Sequence, residues 1–279
     1  MSNLFEPFQY AFFRNGVAVA TVSGALCGLI GVYVVLRGMS YIGHGLSHSI
    51  FGGFALSTLV GVNPFLGAGL WGFGSALATT AVTNRRKLGA DAAIGVITTG
   101  SYAMGIVAFK IATGPKQNFD AAVFGSILGT SRADVVRVVG VTILASIVIF
   151  FRYRSLLFNT FDPDVAEVMG VNRFRVDALL MLVLASAILV TMNVIGVTLV
   201  AATLVIPASI ARLLVDSFPK LLALSTVIGA FCGFAGMLAS WHLKDGSLPS
   251  GPLIVLVSTL LFGFAFLASS RRGSVGHVH

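Results

Sequence analysis

The sequence predicts an all-α membrane protein, a bundle of about eight or nine transmembrane helices that forms one domain over residues 1–279. Of the 279 residues, 56% are hydrophobic and only 10% are charged, and the mean hydropathy is +0.95. Each helical crossing needs about 20 apolar residues, and apolar runs follow one another from residue 11 to residue 268. This pattern excludes a soluble domain, a fused nucleotide-binding domain and a protein held by a single anchor.

Nine apolar spans account for the predicted crossings, and one of them is a candidate for a re-entrant segment. They cover residues 14–36, 39–60, 65–83, 90–112, 134–151, 176–194, 196–215, 221–241 and 252–269. Residues 1–12 carry phenylalanines at helical spacing, which fits an interfacial segment or simple first-turn packing. Residues 121–130 are too few to cross before the next span, so they fit a re-entrant or surface helix on the outer side.

The charge balance indicates the topology. The chain has 18 Lys and Arg against 10 Asp and Glu, a formal charge of +8, and such an excess normally lies in cytoplasmic loops. The side expected to be cytoplasmic carries Arg37, Arg85, Arg86, Lys87, Arg152, Arg154, Arg173, Arg175, Arg212, Lys220, Arg271 and Arg272. An odd number of crossings then puts the N-terminus outside and residues 270–279 in the cytoplasm as a mobile tail, whereas an even number puts the N-terminus inside.

Small residues recur at spacings that favour close helix packing. The 32 glycines include pairs four residues apart, and such pairs let helix backbones approach each other in lipid. These pairs are Gly24 with Gly28, Gly125 with Gly129, and Gly229 with Gly233. Cys27 and Cys232 lie inside apolar runs, where they predict packed thiols and no disulfide framework.

Two histidines inside the second span are the strongest candidate for chemistry, because ionisable groups within the membrane are costly. Residues 40, 44, 48 and 52 share one helical face, which carries Ser40, His44, His48 and Gly52. Two imidazoles at this spacing can reach one metal ion and suit Zn²⁺, Fe²⁺ and Mn²⁺. The sequence predicts a metal site at His44 and His48, with Ser40 as a further candidate. The alternative is a pair of histidines hydrogen-bonded to neighbouring helices.

Enzyme motifs do not account for this histidine pair. The spacing matches the H-E-x-x-H pattern of metalloproteases, but Gly45 stands where the glutamate that activates water would be. The sequence contains no G-x-S-x-G motif, and no lysine follows a glycine, so there is no P-loop. We therefore expect a transport component rather than an enzyme, with any ATP hydrolysis in a separate subunit.

A short helix is predicted in the largest cytoplasmic loop. Asp162 can cap it, Pro163 suits its first position, Asp164 and Glu167 favour its positive start, and Gly170 suits its end. A solvated connector and a docking element for a partner fit this helix equally well. In the seventh span, Pro207 removes a backbone hydrogen bond and predicts a kink.

Taken together, these residues resemble the permease subunits of metal-ion ATP-binding-cassette importers, which take up manganese, zinc or iron in bacteria. The motifs that carry the resemblance are LRGMSYIG at 36–43, LSH at 46–48, DAAIG at 91–95, FGSIL at 124–128, FD at 161–162 with Ala166 and Gly170, IPA at 206–208 and LPSGP at 248–252. The resemblance implies a type II importer permease fold in a prokaryotic plasma membrane. It also implies a dimer, with a homodimer favoured, two cytoplasmic ATPase subunits, and an external metal-binding protein.

The resemblance further implies roles for particular residues. The helix that includes Ala166 and Gly170 is expected to couple the ATPase to the pore. Family members usually carry an aspartate four residues before the histidine that aligns with His48, and here that position is His44. Exchanging an anionic oxygen ligand for imidazole favours Zn²⁺ or Fe²⁺ over Mn²⁺. The metal is expected as cargo, with no permanently bound cofactor, and His277 and His279 in the tail are minor metal candidates.

Two other functions remain open on the sequence. An ion-gradient-driven secondary transporter is expected to carry carboxylates within its spans, and none lies clearly inside a span here. A membrane scaffold would not transport at all. Dependence on an ATPase separates the importer from both alternatives.

Overall fold

The computed structural model describes residues 6–84, 90–111, 124–125, 130–243 and 248–273. Every regular element within these ranges is a helix, as predicted. A 3-10 helix at Glu6–Gln9 comes first. The α-helices follow as α1 (Ala11–Leu36), α2 (Ile42–Val60), α3 (Pro64–Asn84), α4 (Ala90–Ile111), α5 (Arg132–Phe151), α6 (Tyr153–Phe161), α7 (Pro163–Val168), α8 (Arg173–Ile195), α9 (Val200–Leu214), α10 (Phe218–His242) and α11 (Ser250–Gly273).

Each of the nine predicted spans coincides with one helix, namely α1 to α5 and α8 to α11. In the described part of the chain, 7 helices are long and apolar enough to cross a membrane, and α2 and α9 are the spans outside that set. The 19 residues of α2 include two histidines and three serines. The 15 residues of α9 extend about 22 Å, which is shorter than the hydrocarbon core of about 30 Å.

Two helices, α2 and α9, start later than predicted, and glycines explain both. Gly38 has a φ of +65° in the turn before α2, so that helix begins at Ile42 rather than near residue 39. Gly196 has a φ of +86° and ends α8, and a turn separates it from the start of α9 at Val200. Positive φ is a conformation that glycine adopts without steric cost. The short helix α6 was absent from the predicted spans, and it buries Leu156 and Asn159.

The bundle has two chemically different ends. At one end, the Phe218 ring contacts Tyr33 of α1 and also contacts Tyr153 and Phe161, which are both in α6. This basic end carries the described residues Arg37, Arg152, Arg154, Arg173, Arg175, Arg212 and Lys220. The opposite, far end is marked by Trp241, whose ring contacts Tyr10 and Phe13. The described chain begins at the far end and finishes α11 at the basic end, as an odd number of crossings requires.

Glycines hold α1 directly against α10, which confirms the predicted close packing. A Cβ at Gly24 would collide with the backbone oxygen of Gly229, and one at Gly28 would collide with the backbone oxygen of Ser225. The Ser225 hydroxyl donates a hydrogen bond to the Gly28 carbonyl at 2.6 Å. Gly125 has a φ of +79° and lies against the end of α8, while residues 121–123 and 126–129 of the predicted outer segment lie outside the described residues. Cys27 and Cys232 are free and buried.

Candidate functional site

The candidate site lies on α2 where this helix packs against α4. A Cβ at Gly52 would collide with the Ser101 carbonyl oxygen, and one at Gly105 would lie 2.6 Å from the Gly52 Cα. A Cβ at Gly45 would lie 2.6 Å from Ile94. The absence of side chains at these positions lets the two backbones touch. This contact brings the Tyr102 ring of α4 beside the histidines of α2.

His44 and His48 face each other across one helical turn. Their Nε2 atoms lie 2.9 Å apart, and the ring centroids are 4.3 Å apart with the planes nearly perpendicular. Both side chains are half-buried. At this separation the two neutral rings share one hydrogen bond, in which one Nε2–H donates and the other Nε2 accepts. The predicted i, i+4 pair is therefore formed.

Tyr102 covers the second face of His48. The ring centroids of His48 and Tyr102 are 4.3 Å apart, and Tyr102 also lies 5.6 Å from Phe51. The His48 Nδ1 atom is buried and has no hydrogen-bond partner among the described residues. Ser40 lies in the exposed turn before α2, so the regular helical face begins at His44 and does not extend to Ser40. The tail residues His277 and His279 lie outside the described residues.

The histidine pair offers two nitrogen donors to one ion. Two nitrogen ligands bound tetrahedrally to one Zn²⁺ ion at about 2.0–2.1 Å lie about 3.3–3.4 Å from each other, which is about half an ångström more than the observed separation of 2.9 Å. An ion can replace the shared proton once the two rings move apart by that amount and turn their Nε2 atoms toward it. Within the described ranges, no group of three or more His, Cys, Asp or Glu side chains could hold a metal. The pair is a sparse site, which suits an ion that must leave again.

The predicted short helix is α7, and its capping follows the sequence. The Asp162 Oδ1 accepts a hydrogen bond from the Val165 N–H at 3.0 Å, and Pro163 occupies the first turn. Ala166 is fully buried, whereas Asp164 and Glu167 are exposed. The helix ends before Gly170, whose φ is +77°. We call residues 161–170 the coupling segment, after the role predicted for it from the sequence.

The coupling segment presents an apolar surface at the basic end. Phe161, Val165, Val168 and Met169 are exposed, and the Val168 side chain is 88% exposed. Exposed apolar side chains clustered on a short capped helix are typical of a contact surface for another protein.

A polar network joins the end of α6, directly before the coupling segment, to the rest of the bundle at the basic end. Arg37 Nη1 contacts Asp177 Oδ1 at 2.7 Å, and the Arg37 Nε–H donates to the Thr160 hydroxyl at 3.0 Å. The Asn159 amide donates to the same Asp177 oxygen at 2.7 Å, and Arg173 lies 3.7 Å from the other oxygen. Burial lowers the pKa of Arg37, and the Asp177 carboxylate opposes that shift.

This network lines a cavity of about 330 Å³ at the basic end. Thr79, Thr83 and Asn84 of α3 line the cavity, together with Ile42 at the start of α2 and Pro163 of α7. The cavity therefore lies between the helix that carries the histidine pair and the coupling segment.

A family model described as the ABC 3 transport family matches residues 9–269. The chain belongs to the ABC 3 transport family. It is 33% identical over 277 residues to the manganese transport system membrane protein MntC of Halalkalibacterium halodurans, covering 98% of this chain and 94% of that protein. It is 30% identical to the chelated iron transport system membrane protein YfeD of Yersinia pestis, covering 94% of this chain and 87% of that protein.

A solved structure has the same fold. PsaBC from Streptococcus pneumoniae in complex with Fab superposes with a TM-score of 0.83 and 28% identity, covering 94% of each chain. These comparisons confirm the resemblance predicted from the sequence motifs. This ABC 3 family member is a multi-pass permease of a prokaryotic plasma membrane.

Sequence reasoning found His44, His48 and the coupling segment but missed Tyr102 and the Arg37–Asp177 ion pair. Tyr102 lies 54 positions beyond His48 in the chain, as their numbers show, and no local pattern links them. From the sequence, Arg37 was used as a topology signal and as part of the motif at 36–43, but not as a member of an ion pair. Pro207 lies inside α9 and is buried. Because proline has no N–H, the Thr203 carbonyl one turn earlier lacks its helical partner.

Proposed function

We propose that this permease forms the translocation path of an ATP-binding-cassette importer for a divalent transition-metal ion, Mn²⁺, Fe²⁺ or Zn²⁺. The observation that carries the proposal is the His44–His48 pair, whose Nε2 atoms are close enough for one ion to bind both after a small movement of the rings. The relatives named for manganese and chelated iron transport support a metal as the cargo. ATP hydrolysis takes place in separate cytoplasmic subunits.

The histidine pair acts as a transient site midway along the path. Imidazole suits Fe²⁺ and Zn²⁺ better than Mn²⁺, which prefers oxygen ligands. Both rings must be unprotonated to bind the ion. Two protein ligands hold the ion loosely, so that water or a second permease subunit completes the coordination. We infer that the pair binds Fe²⁺ or Zn²⁺ more tightly than Mn²⁺.

The coupling segment transmits ATP-driven movement. Its exposed apolar side chains suit a docking surface for the ATPase. The Arg37–Asp177 network connects Thr160, the residue directly before the segment, to the turn that precedes α2. The basic end then faces the cytoplasm, in agreement with the positive-inside rule. The far end faces outward, toward a metal-loaded binding protein. The permease works as a dimer, with a homodimer favoured, and Pro207 marks a bend in a helix beside the path.

Metal accumulation in cells tests this function. The permease is expressed with its ATPase and binding protein, and cellular Mn, Fe and Zn are measured by elemental analysis. His48→Ala should lower accumulation of the cargo metal at least tenfold, because even changes around a metal ligand cost about 10-fold to 100-fold. His44→Asp should shift the preference toward Mn²⁺. Dependence on an intact ATPase excludes a secondary transporter.

His242→Ala provides the matched control, because His242 lies at the far end of α10, outside the pair. It should accumulate metal at the wild-type level. All variants are compared at equal amounts of permease in the membrane. Wild-type accumulation in both His48→Ala and His44→Asp would assign the pair a structural role and remove the basis of the proposed site.

A further inference from the structure

A groove opens between α1, α5 and α10, and no described residue of α2 or α4 lines it. Its volume is about 1010 Å³. Leu29, Phe150, Leu222 and Val227 form apolar walls. Helix α2 packs against α3, α4, α8 and α9, so the groove does not share its walls with the proposed metal path.

The groove extends from the basic end into the depth of the membrane. Leu29 lies seven residues before the end of α1, which corresponds to about 10 Å along the helix axis. Val227 lies nine residues after the start of α10, which corresponds to about 13 Å. The apolar walls thus lie at the level of lipid acyl chains, and the mouth lies at the level of the headgroups.

The mouth of the groove is positively charged. Arg154 and Tyr153 line it, and Arg152 and Lys220 are the chain neighbours of Tyr153 and Pro219. Among the described residues that line the groove there is no carboxylate. The ion pairs formed within the described ranges involve other arginines. The exposed Arg154 guanidinium is therefore available to an anion.

We propose that this groove binds an anionic phospholipid of the surrounding membrane. One acyl chain lies along Leu29, Leu222 and Val227, and the phosphate of the headgroup contacts Arg154 and the Tyr153 hydroxyl. Apolar walls at acyl depth with a cationic rim at headgroup depth are the combination that anionic lipid headgroups select between transmembrane helices. The groove is a lipid site separate from metal transport.

Native mass spectrometry of the full-length permease in a neutral detergent tests the site. The protein is titrated with phosphatidylglycerol or with phosphatidylcholine that has the same acyl chains. Wild type should bind one phosphatidylglycerol at least about fivefold more tightly than phosphatidylcholine, the effect of one basic residue near anionic lipid. Arg154→Gln should abolish that preference. Arg175→Gln is the matched control, because Arg175 is exposed at the basic end of the bundle on α8, a helix that does not line the groove.

A second pair of variants tests the apolar part of the groove. Ala223→Trp fills the space between α10 and α5 and should remove the bound lipid. Ala268→Trp adds the same side chain to an exposed position of α11 and should leave lipid binding unchanged. Size-exclusion chromatography verifies that each variant is folded, and Arg154→Gln gives an independent answer if Ala223→Trp does not fold.

Four results would overturn the lipid site. Equal binding of the two lipids by wild type would show that the charged rim does not discriminate between an anionic and a neutral headgroup. Retention of the lipid in Ala223→Trp would place it elsewhere on the protein. Loss of the lipid when the ATPase or a second permease subunit binds would mean that a protein covers the groove. Competition by inorganic phosphate alone would assign the rim to free anions rather than to lipid.

Discussion

The guanidinium of Arg37 and the carboxylate of Asp177 join the end of α1 to the start of α8 across 140 positions of sequence. The Arg37 side chain is 9% exposed and that of Asp177 is 20% exposed. Removing one member of such a pair leaves the other charge buried without its partner. The pair is therefore a structural joint between α1 and α8 at the basic end, where it lies beside the turn that precedes α2.

Replacement of Arg37 should destabilise the permease. We expect Arg37→Leu to lower the free energy of unfolding by about 2–4 kcal/mol, below the full cost of breaking a buried pair because Asp177 retains some exposure. The double variant Arg37→Leu/Asp177→Leu should lose less free energy of unfolding than the sum of the losses in the two single variants. Denaturant unfolding in detergent measures these changes.

Arg212→Leu serves as the control for this cycle. Arg212 lies 3.5 Å from Asp216, and both side chains are at least half exposed. Exposed ion pairs contribute little to the free energy of unfolding, so this variant should unfold at the same denaturant concentration as wild type. Strict additivity of the Arg37 and Asp177 substitutions would contradict the assigned coupling.

Substitution of Gly24 should disrupt the α1–α10 contact. A Cβ at this position meets the Gly229 backbone, which cannot move without separating the helices. Overpacking of this kind costs about 1–3 kcal/mol, so Gly24→Ala should lower the thermal midpoint. Gly263→Ala on α11 should not, because a Cβ there has no neighbour within 4 Å among the described residues. Equal midpoints for the two variants would exclude the proposed steric cause.

Tyr102 should support transport through its ring rather than its hydroxyl. The ring lies against His48, and its removal frees the imidazole to rotate away from His44. We expect Tyr102→Ala to lower the initial rate of metal uptake and Tyr102→Phe to retain it, at equal permease levels. A Tyr102→Phe variant as slow as Tyr102→Ala would assign the effect to the hydroxyl.

Removal of the Asp162 cap should impair coupling without unfolding the permease. Loss of an N-cap lowers the stability of a helix by about 0.5–2 kcal/mol. Because α7 has only 6 residues, this loss is large relative to its other stabilising contacts. In the assembled importer, Asp162→Ala should lower ATP-driven uptake, while the thermal midpoint of the permease changes little. Asp162→Asn keeps a capping oxygen and should preserve uptake. Normal uptake by Asp162→Ala would mean that the cap is dispensable for coupling.

Local patterns in the sequence predicted much of this molecule. The nine apolar runs predicted nine helices, because a membrane-spanning helix can be predicted from the composition of its own run alone. The His44–His48 contact follows from the rise of one helical turn, and the α7 cap follows from adjacent residues. The histidine contact and the cap depend on positions no more than four residues apart, and each apolar run depends only on residues within itself.

Features that depend on tertiary packing could not be predicted in this way. Tyr102 reaches His48 only because Gly52 and Gly105 allow α2 and α4 to touch. The Arg37–Asp177 pair requires the ends of two distant helices to meet. Ser40 was assigned to the histidine face because the span was predicted to begin at residue 39, whereas Gly38, with a φ of +65°, begins a turn that lasts until α2 starts at Ile42.

The two glycine contacts have a consequence for movement. Helices whose backbones touch cannot slide past each other without parting, so α1 should move as a rigid block with α10, and α2 with α4. The five residues from Arg37 to Tyr41 are the direct connection between these blocks. We expect the hinge of the permease to lie there, so that the histidine pair tilts with the second block while the first stays fixed in the bilayer.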